Sequence, residues 1–451
     1  MKPEATAHAL RRDALVAAIR SSATTSTAPL GLKKRSSNLF RDRSEKRKHR
    51  LDLSGFCHVL DINTVDGWVD VEGMTSYEEL VAQTLPHGVM PAVVPQLKTI
   101  TVGGAAAGVG IEATSHRCGL VHNTLLELDV LLPNGEVVHC TPDNEHQDLF
   151  YGFPNSYGTL GYALRLRLRT LPVKPFVKVE HLQHSVSDAF FGELAARCSN
   201  GVNFVDGVVF AAQQQVISVA SFVDAAPWLS DYSFEHIYYR SLRDKKVDYL
   251  RVQDYIWRWD TDWFWCSKNL GAQHPLVRRL LGKSRLNSRT YTWIMRWNAR
   301  WGLTRRLARW RGRFCEAVIQ DVDIPIAAAA DFLAFLLREI GIVPIWICPV
   351  RALGPGRQFT LYPMAPDSLY VNFGFWDVVE SAVSHEAGHF NRMVEREAMR
   401  LGGIKSLYSD SYFTREEFAQ AYGMARYQVL KNKYDPDARM LGLYEKCVLR
   451  A

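Results

Sequence analysis

The 451-residue chain contains no run of about 18 uninterrupted apolar residues; the nearest, residues 327–347, is broken by Asp331, Arg338 and Glu339. This argues against a membrane-spanning helix. An export signal is not expected either, because Arg11, Arg12 and Asp13 stand where its apolar core would lie. The eight cysteines include no C-x-x-C pair, which argues against a zinc site and a disulfide framework and suits a reducing compartment. Acidic residues are absent from one long stretch. Residues 263–315 hold none, against thirteen Lys and Arg. Those thirteen exceed the net charge of +7, so the rest of the chain is net acidic and the basic character is a local patch. Two nucleotide signatures are also missing: no G-x-G-x-x-G follows a strand, and no Gly-Lys-Ser/Thr closes a phosphate loop.

The pattern that is present predicts a mixture of helices and strands, in a chain long enough for two or three domains. Residues 7–19 could form a short helix, and 21–27 read as a mobile linker, within a flexible segment 1–30. Thr75 and Glu78 form a capping box for a helix over 75–85, and Thr414 with Glu417 for one over 414–431. Strands are expected at 125–132 and 136–140, joined by a turn at Pro133-Asn134-Gly135. Residues 162–171 alternate Leu and Arg, the period of an antiparallel strand with one wet face. Further on, helices are expected at 325–340 and 384–401 and strands at 343–350 and 368–374.

The most informative segment runs from Thr101 through Val102, Gly103, Gly104, Gly108, Val109, Gly110 and Ile111 to Glu112. Four glycines within eight residues let a backbone approach a bulky anion and turn its N–H groups toward it. A tight structural turn is the alternative. The surroundings decide more. Val94-Pro95-Gln96 precedes the glycines, Gly119 and the strand 125–130 follow, and then come Asp148-Leu149-Phe150 and Gly158-Thr159-Leu160-Gly161-Tyr162. In this order the chain resembles the vanillyl-alcohol-oxidase-type (PCMH-type) FAD-binding oxidoreductases. Within them it is most similar to the sterol Δ24-reductase branch and to bacterial reductases of methylene-branched acyl chains in phospholipids, as in tuberculostearic-acid-type methyl-branched fatty acid synthesis. That closer likeness is carried by residues 110–116, 346–349, 407–412, 433–436 and 443–446. The segment 34–40 and the aromatic block 258–265 favour the bacterial branch.

The resemblance implies an α+β protein: a two-subdomain FAD-binding domain at 31–175, an α+β substrate (cap) domain at 176–400, and C-terminal helices at 401–451 returning to the flavin site. It implies FAD held by Ser36, Ser37, Asn38, Gln96, the glycine segment, Ser115, His116, Gly119, Gly161 and Tyr162. Where relatives carry a glycine-rich first loop, sometimes with a flavin-linked histidine, this chain has Arg35-Ser36-Ser37-Asn38, so the flavin is expected to be non-covalent.

Four residues are candidates for the chemistry. Glu112 could donate a proton or hold a flavin edge, or pair with Arg117. Asp262, in a block with Trp257, Trp259, Trp263 and Trp265, could be an acid of raised pKa or a helix cap. Tyr408 and Asp410 could face flavin and substrate, or belong to a core network. His385, Glu386 and His389 spell H-E-x-x-H, a zinc pattern short enough to arise by chance, and no metal is expected. Trp293, Trp297 and Trp301 recur every four residues, with Arg305, Arg306 and Arg309 largely opposite. This suits a helix lying in a membrane interface; inward packing of the tryptophans is the alternative, and nucleic acid is not the expected partner.

These readings together predict an FAD-dependent enzyme acting on a CH–CH group of a lipid acyl chain, reducing a methylene-branched chain of a phospholipid to the methyl-branched form. NADPH or NADH would be the electron donor. The expected site of action is the cytoplasmic, inner face of the cell membrane, with an anionic surface and a lipid methyltransferase of the same pathway as partners. Dehydrogenation of a methyl-branched chain, reduction of a sterol or polyprenyl double bond, and a membrane-bound scaffold without turnover are the alternatives.

Overall fold

The computed structural model describes residues 3–22, 28–34, 40–41, 48–301, 312–352 and 358–450. The fold is α+β, built on two antiparallel sheets. The first runs Val59–Asn63, Trp68–Glu72, Tyr162–Pro172, Leu125–Leu131, Val137–Cys140, with Val89–Pro91 added to Tyr162–Pro172. Its central strand is the Leu/Arg alternation. Leu164, Leu166 and Leu168 are buried, while Arg165 and Arg167 on the other face are held by Asp70 and Glu127 of the neighbouring strands. The face expected to be wet is thus a partly buried ion-pair ladder, because strands on both sides supply carboxylates.

The second sheet has eight strands in the order Val247–Arg251, Phe176–His184, Gln214–Val223, Phe204–Ala211, Ile345–Arg351, Leu369–Ser381, Phe314–Pro325, Ile404–Lys405. The chain leaves one sheet at Pro172 and enters the other at Phe176. It stays in the second sheet as far as Lys405, past the expected boundary at 400. Helices Ser187–Cys198, Ala329–Phe335 and His389–Arg400 add Phe190, Phe332 and Val394 to a core of its own.

Several local expectations shift for identifiable reasons. The N-terminal segment expected to be flexible carries a 20-residue helix, Pro3–Ser22, anchored by His8 and Arg11 on the buried Glu72; residues 23–27 of the expected linker lie outside the described residues. Ser76, not Thr75, caps helix Tyr77–Thr84, because the Thr75 hydroxyl donates to the His58 carbonyl. The Thr414–Glu417 box forms as read, but its helix stops at Ala421, and Gly423, at φ 57°, separates it from Met424–Tyr434. Residues 384–401 become helical only from His389, after Gly388 at φ 80°. His385 therefore lies outside that helix, and its ring stacks on His389 at 4.2 Å. No helix among the described residues is long and apolar enough to cross a membrane.

Candidate active site

A cavity of about 750 Å³ opens between the glycine segment, the aromatic block, strands of the second sheet and the C-terminal stretch. The glycine segment begins as a short helix, Val102–Ala106, capped by the Thr101 side chain. Its N–H groups do not serve an anion as expected. Those of Val102, Gly103 and Gly104 already bond Thr75 O, Gly73 O and Thr101 Oγ1. The glycines are needed for proximity instead. A Cβ on Gly103 would lie 2.7 Å from the Gly73 carbonyl, and one on Gly104 would meet Thr101 Oγ1 at 2.8 Å and Lys34 Nζ at 3.1 Å. Among the described residues, no protein group accepts from the N–H of Val109, Gly110 or Ile111, which leaves them to a ligand.

Two kinds of wall meet at the cavity. One is cationic: among the described residues Lys34, Arg41, Lys48, Arg50, Lys446 and Arg450 line it, against the single acid Asp321. Lys34 Nζ donates to Thr101 Oγ1 at 3.2 Å, and Lys446 Nζ to the Tyr157 carbonyl at 2.6 Å, so this charge gathers about the glycine segment. The other wall is aromatic, from Phe40, Trp263, Phe264, Trp346, Trp376 and Tyr408. Phe264 packs on Trp376 at 4.5 Å and on Trp346 at 5.3 Å. Trp263 and Phe264 sit at φ 41° and 59°, a left-handed backbone that bulky residues adopt at a cost and that concentrates at functional sites.

Of the residues expected to bind cofactor, Gln96, Thr101, Gly103, Gly104, Gly108, Val109, Gly110, Ile111, Gly161 and Tyr162 line this cavity. Four others do not. Val102 is wholly buried in the core. Ser115 accepts from the Glu112 N–H. His116 turns both ring nitrogens to the carbonyls of Ala113 and Val202. Gly119, at φ 71°, leaves room for the Asn123 side chain. Ser36, Ser37 and Asn38 lie outside the described residues.

The expected catalytic set divides. Tyr408 lines the cavity, and its hydroxyl accepts from Trp376 Nε1 at 2.8 Å. Glu112 does not line it. This buried carboxylate pairs with Arg258 at 2.7 Å, accepts from Gln96, and shares Arg258 with Asp206, also at 2.7 Å. Burial pushes its pKa up and Arg258 pulls it down. The partner anticipated for it, Arg117, is not the one that holds it. Asp262 is likewise paired, with Arg278 at 2.6 Å and the Ser267 hydroxyl at 2.9 Å. Asp410 meets Arg450 at 3.5 Å and stands off the cavity itself.

Sequence reasoning missed Asp321. It lies on Phe314–Pro325, opposite Gly374 of Leu369–Ser381. Its Oδ1 is buried without a hydrogen-bond partner, and Tyr408 is its neighbour. Burial holds its pKa well above the usual carboxylate range; Tyr408 lowers it and Asp323 raises it. Asp323, two residues on, is held by Tyr362 at 2.6 Å and Asn372 at 2.9 Å and is raised by burial to about 6. Two acids at period two, Asp321 and Asp323, flanked by Ile319, Val322 and Ile324, were the available signal.

A dinucleotide with a diphosphate bridge fits these walls: cations beside glycines too closely packed for a Cβ, N–H groups without a protein acceptor among the described residues just beyond, and an aromatic chamber. The comparisons agree. Residues 3–141 match the family described as "FAD binding domain". The chain is similar to the Δ24-sterol reductase of Homo sapiens, 26% identical over 425 residues that cover 89% of this chain and 78% of that one. The Arabidopsis thaliana Δ24-sterol reductase is 23% identical over 445 residues, 90% of this chain and 77% of that one. A shorter likeness, 31% over 125 residues, 28% of this chain and 27% of that one, links it to the decaprenylphosphoryl-β-D-ribose oxidase of Mycolicibacterium smegmatis. The N-terminal third of the chain is therefore an FAD-binding domain, and the chain is an FAD-dependent oxidoreductase.

Proposed function

We propose that the protein reduces a carbon–carbon double bond in a lipid tail, and that its substrate is a methylene-branched acyl chain of a phospholipid, converted to the methyl-branched form. The observation that carries this reading is the aromatic wall of Trp263, Phe264, Trp346, Trp376 and Tyr408, interrupted, among the described residues, by the one acid Asp321. Such a chamber suits an apolar chain and has no cation aimed at a carboxylate or sugar among those six residues. FAD, when bound, supplies hydride transfer, with NADPH or NADH as the proposed source of electrons. In this reading the residues 101–111 and Lys34 hold its diphosphate and ring, and the aromatic wall orients the substrate and excludes water. The names of the long-range relatives, sterol reductases, favour a sterol double bond as the second reading.

The proposed place of action is an anionic membrane surface. Trp293 and Trp297 on helix Ser288–Trp301 are 67% and 48% exposed, and Leu276 and Leu280 on Pro275–Leu281 are 63% and 82% exposed. Inward packing does not account for these four. They stand in the stretch that lacks acidic residues, and the helix is tied by Ser288 and Tyr291 to Asp260 and Thr261, next to Trp263 in the cavity wall. Arg305, Arg306 and Arg309, expected on its far side, lie outside the described residues, and the Trp301 side chain is not described. Mass spectrometry decides the substrate. Incubated with a reduced nicotinamide, the holoenzyme should add two hydrogens to a methylene-branched phospholipid. Reduction of a side-chain sterol alkene alone would transfer the assignment to the second reading, and inertness toward both would refute reduction.

A further inference from the structure

We infer that Asp321 is the catalytic acid of this cavity, delivering a proton to the substrate alkene. The inference rests on the reading that the cavity reduces a carbon–carbon double bond, and adds the group that makes that reduction feasible.

An isolated alkene is a poor hydride acceptor, because no carbonyl stabilises the charge that hydride would create. Protonation has to accompany or precede hydride delivery, so the site needs an acid that is neutral before the reaction and within reach of the substrate. The buried acids nearby fail one condition or the other. Glu112 and Asp206 share Arg258, Asp262 is tied to Arg278, and Glu395 to Lys405. Asp323 is enclosed by Tyr362 and Asn372. Among the described residues, Asp321 alone of the acids lines the cavity, and no ion pair to it is formed. An ionised carboxylate left buried without a cation costs several kcal/mol, whereas its protonated form does not carry that penalty.

Its neighbours leave it without a cation. Trp376 Nε1–H can only donate, and it donates to the Tyr408 oxygen. The Tyr408 proton is thereby turned away from Trp376, on a hydroxyl that lies beside Asp321. Space for this acid comes from the paired strand. Gly374 faces Asp321, and a Cβ there would lie 2.8 Å from Oδ1. The groups that act on its titration are Asp323 on its own strand and Tyr408 beside it, while Asp321 in turn acts on Tyr157; the cations Arg41, Lys446 and Arg450 line the same cavity.

In the proton transfer, the Asp321 O–H bond breaks and its proton goes to the terminal methylene carbon, which bonds it with the alkene π pair. The branched carbon, tertiary and electron-poor, takes hydride from the reduced cofactor. The alkene gains two electrons, the cofactor loses two, and Asp321 is left as a carboxylate that recovers its proton from water.

The test uses the FAD-loaded protein, reduced chemically beforehand and mixed without oxygen with a methylene-branched phospholipid. Asp321→Asn should keep its flavin and be reoxidised normally by ferricyanide, yet be reoxidised by the alkene ~10²-fold more slowly or worse, the usual scale for loss of a general acid. In infrared difference spectra at neutral pH, the wild type should show a protonated carboxyl band that Asp321→Asn lacks. Tyr408→Phe should shift that band rather than delete it, because the acid remains and loses only the neighbouring hydroxyl; this second variant serves even if the first folds poorly. An unchanged alkene rate in Asp321→Asn, or an infrared band identical in wild type and both variants, overturns the inference. A wild type that does not react with any alkene refutes the underlying reading instead, so the two failures are distinguishable.

Discussion

The glycine segment and the strand Phe314–Pro325 each place a carboxyl at or beside the cavity, the first buried and the second half-buried, and the two are in opposite situations. Glu112 follows the glycines directly, but Arg258 and Gln96 occupy it. Asp321 comes more than two hundred residues later, lines the cavity and has Tyr408 rather than a cation for company. Proximity in sequence to a cofactor motif therefore says less about an acid's role than the charge of the group packed against it. The first carboxylate is a strut, tying the glycine segment to the aromatic block through Arg258. The second is free to exchange a proton.

That contrast can be broken at several points. The largest effect is expected where the cofactor meets the glycines. Gly104→Glu would place a longer, negative side chain where a Cβ already comes within 3.1 Å of Lys34 Nζ. The purified variant should be colourless, while the yellow wild type should release all its FAD on acid precipitation; flavin retained in the pellet would contradict non-covalent binding. Next comes the strut. Arg258→Met would strand Glu112 and Asp206 together without a cation, and chemical denaturation should report a loss of about 3–5 kcal/mol. Glu112→Gln should cost less, since Asp206 still neutralises Arg258, and should leave solvent deuterium on the new methyl group. If Glu112→Gln abolishes that label, the roles of the two acids are reversed.

Smaller effects are expected away from the cavity. Burial raises the pKa of Glu72, but hydrogen bonds from His8, Arg11 and His58 overrule it and hold it at about 2. Its stabilising contribution is therefore full above its ordinary value of 4.5 and lost as pH falls toward 2. Glu72→Gln should loosen helix Pro3–Ser22 by about 1.5–3 kcal/mol, read as faster amide exchange in that helix alone. Finally, Trp293→Ala with Trp297→Ala should weaken sedimentation with anionic vesicles about tenfold, ~1.4 kcal/mol for two indoles only partly withdrawn from water, with flavin content unchanged. Wild-type binding should fall at high salt. Equal binding by the double variant would rule these tryptophans out as the membrane contact.

Much of the local structure was legible because it depends on near neighbours. The Leu/Arg alternation gives the strand Tyr162–Pro172, and Thr414 with Glu417 gives a helix start. Most glycines read as cofactor contacts do border the cavity. What sequence did not disclose is long-range pairing. Arg258 reaches Glu112 across 146 positions, which no spacing rule anticipates. The N–H groups of residues 102–104 are consumed by Gly73, Thr75 and Thr101, so close approach rather than donation explains those glycines. Asp321 was passed over because an acid within a strand acquires meaning only when the fold sets it in the cavity wall beside Tyr408 and opposite Gly374.

The central claim is that this FAD-dependent oxidoreductase sends electrons into an alkene, and rapid-mixing spectroscopy tests it most directly. Chemically reduced holoenzyme, mixed anaerobically with a phospholipid bearing a methylene-branched chain, should regain the absorbance of oxidised flavin as the chain gains two hydrogens. If reduced enzyme stays bleached, and oxidised enzyme is instead bleached by the saturated methyl-branched lipid, the reaction runs in the opposite sense and the claim of alkene reduction is wrong.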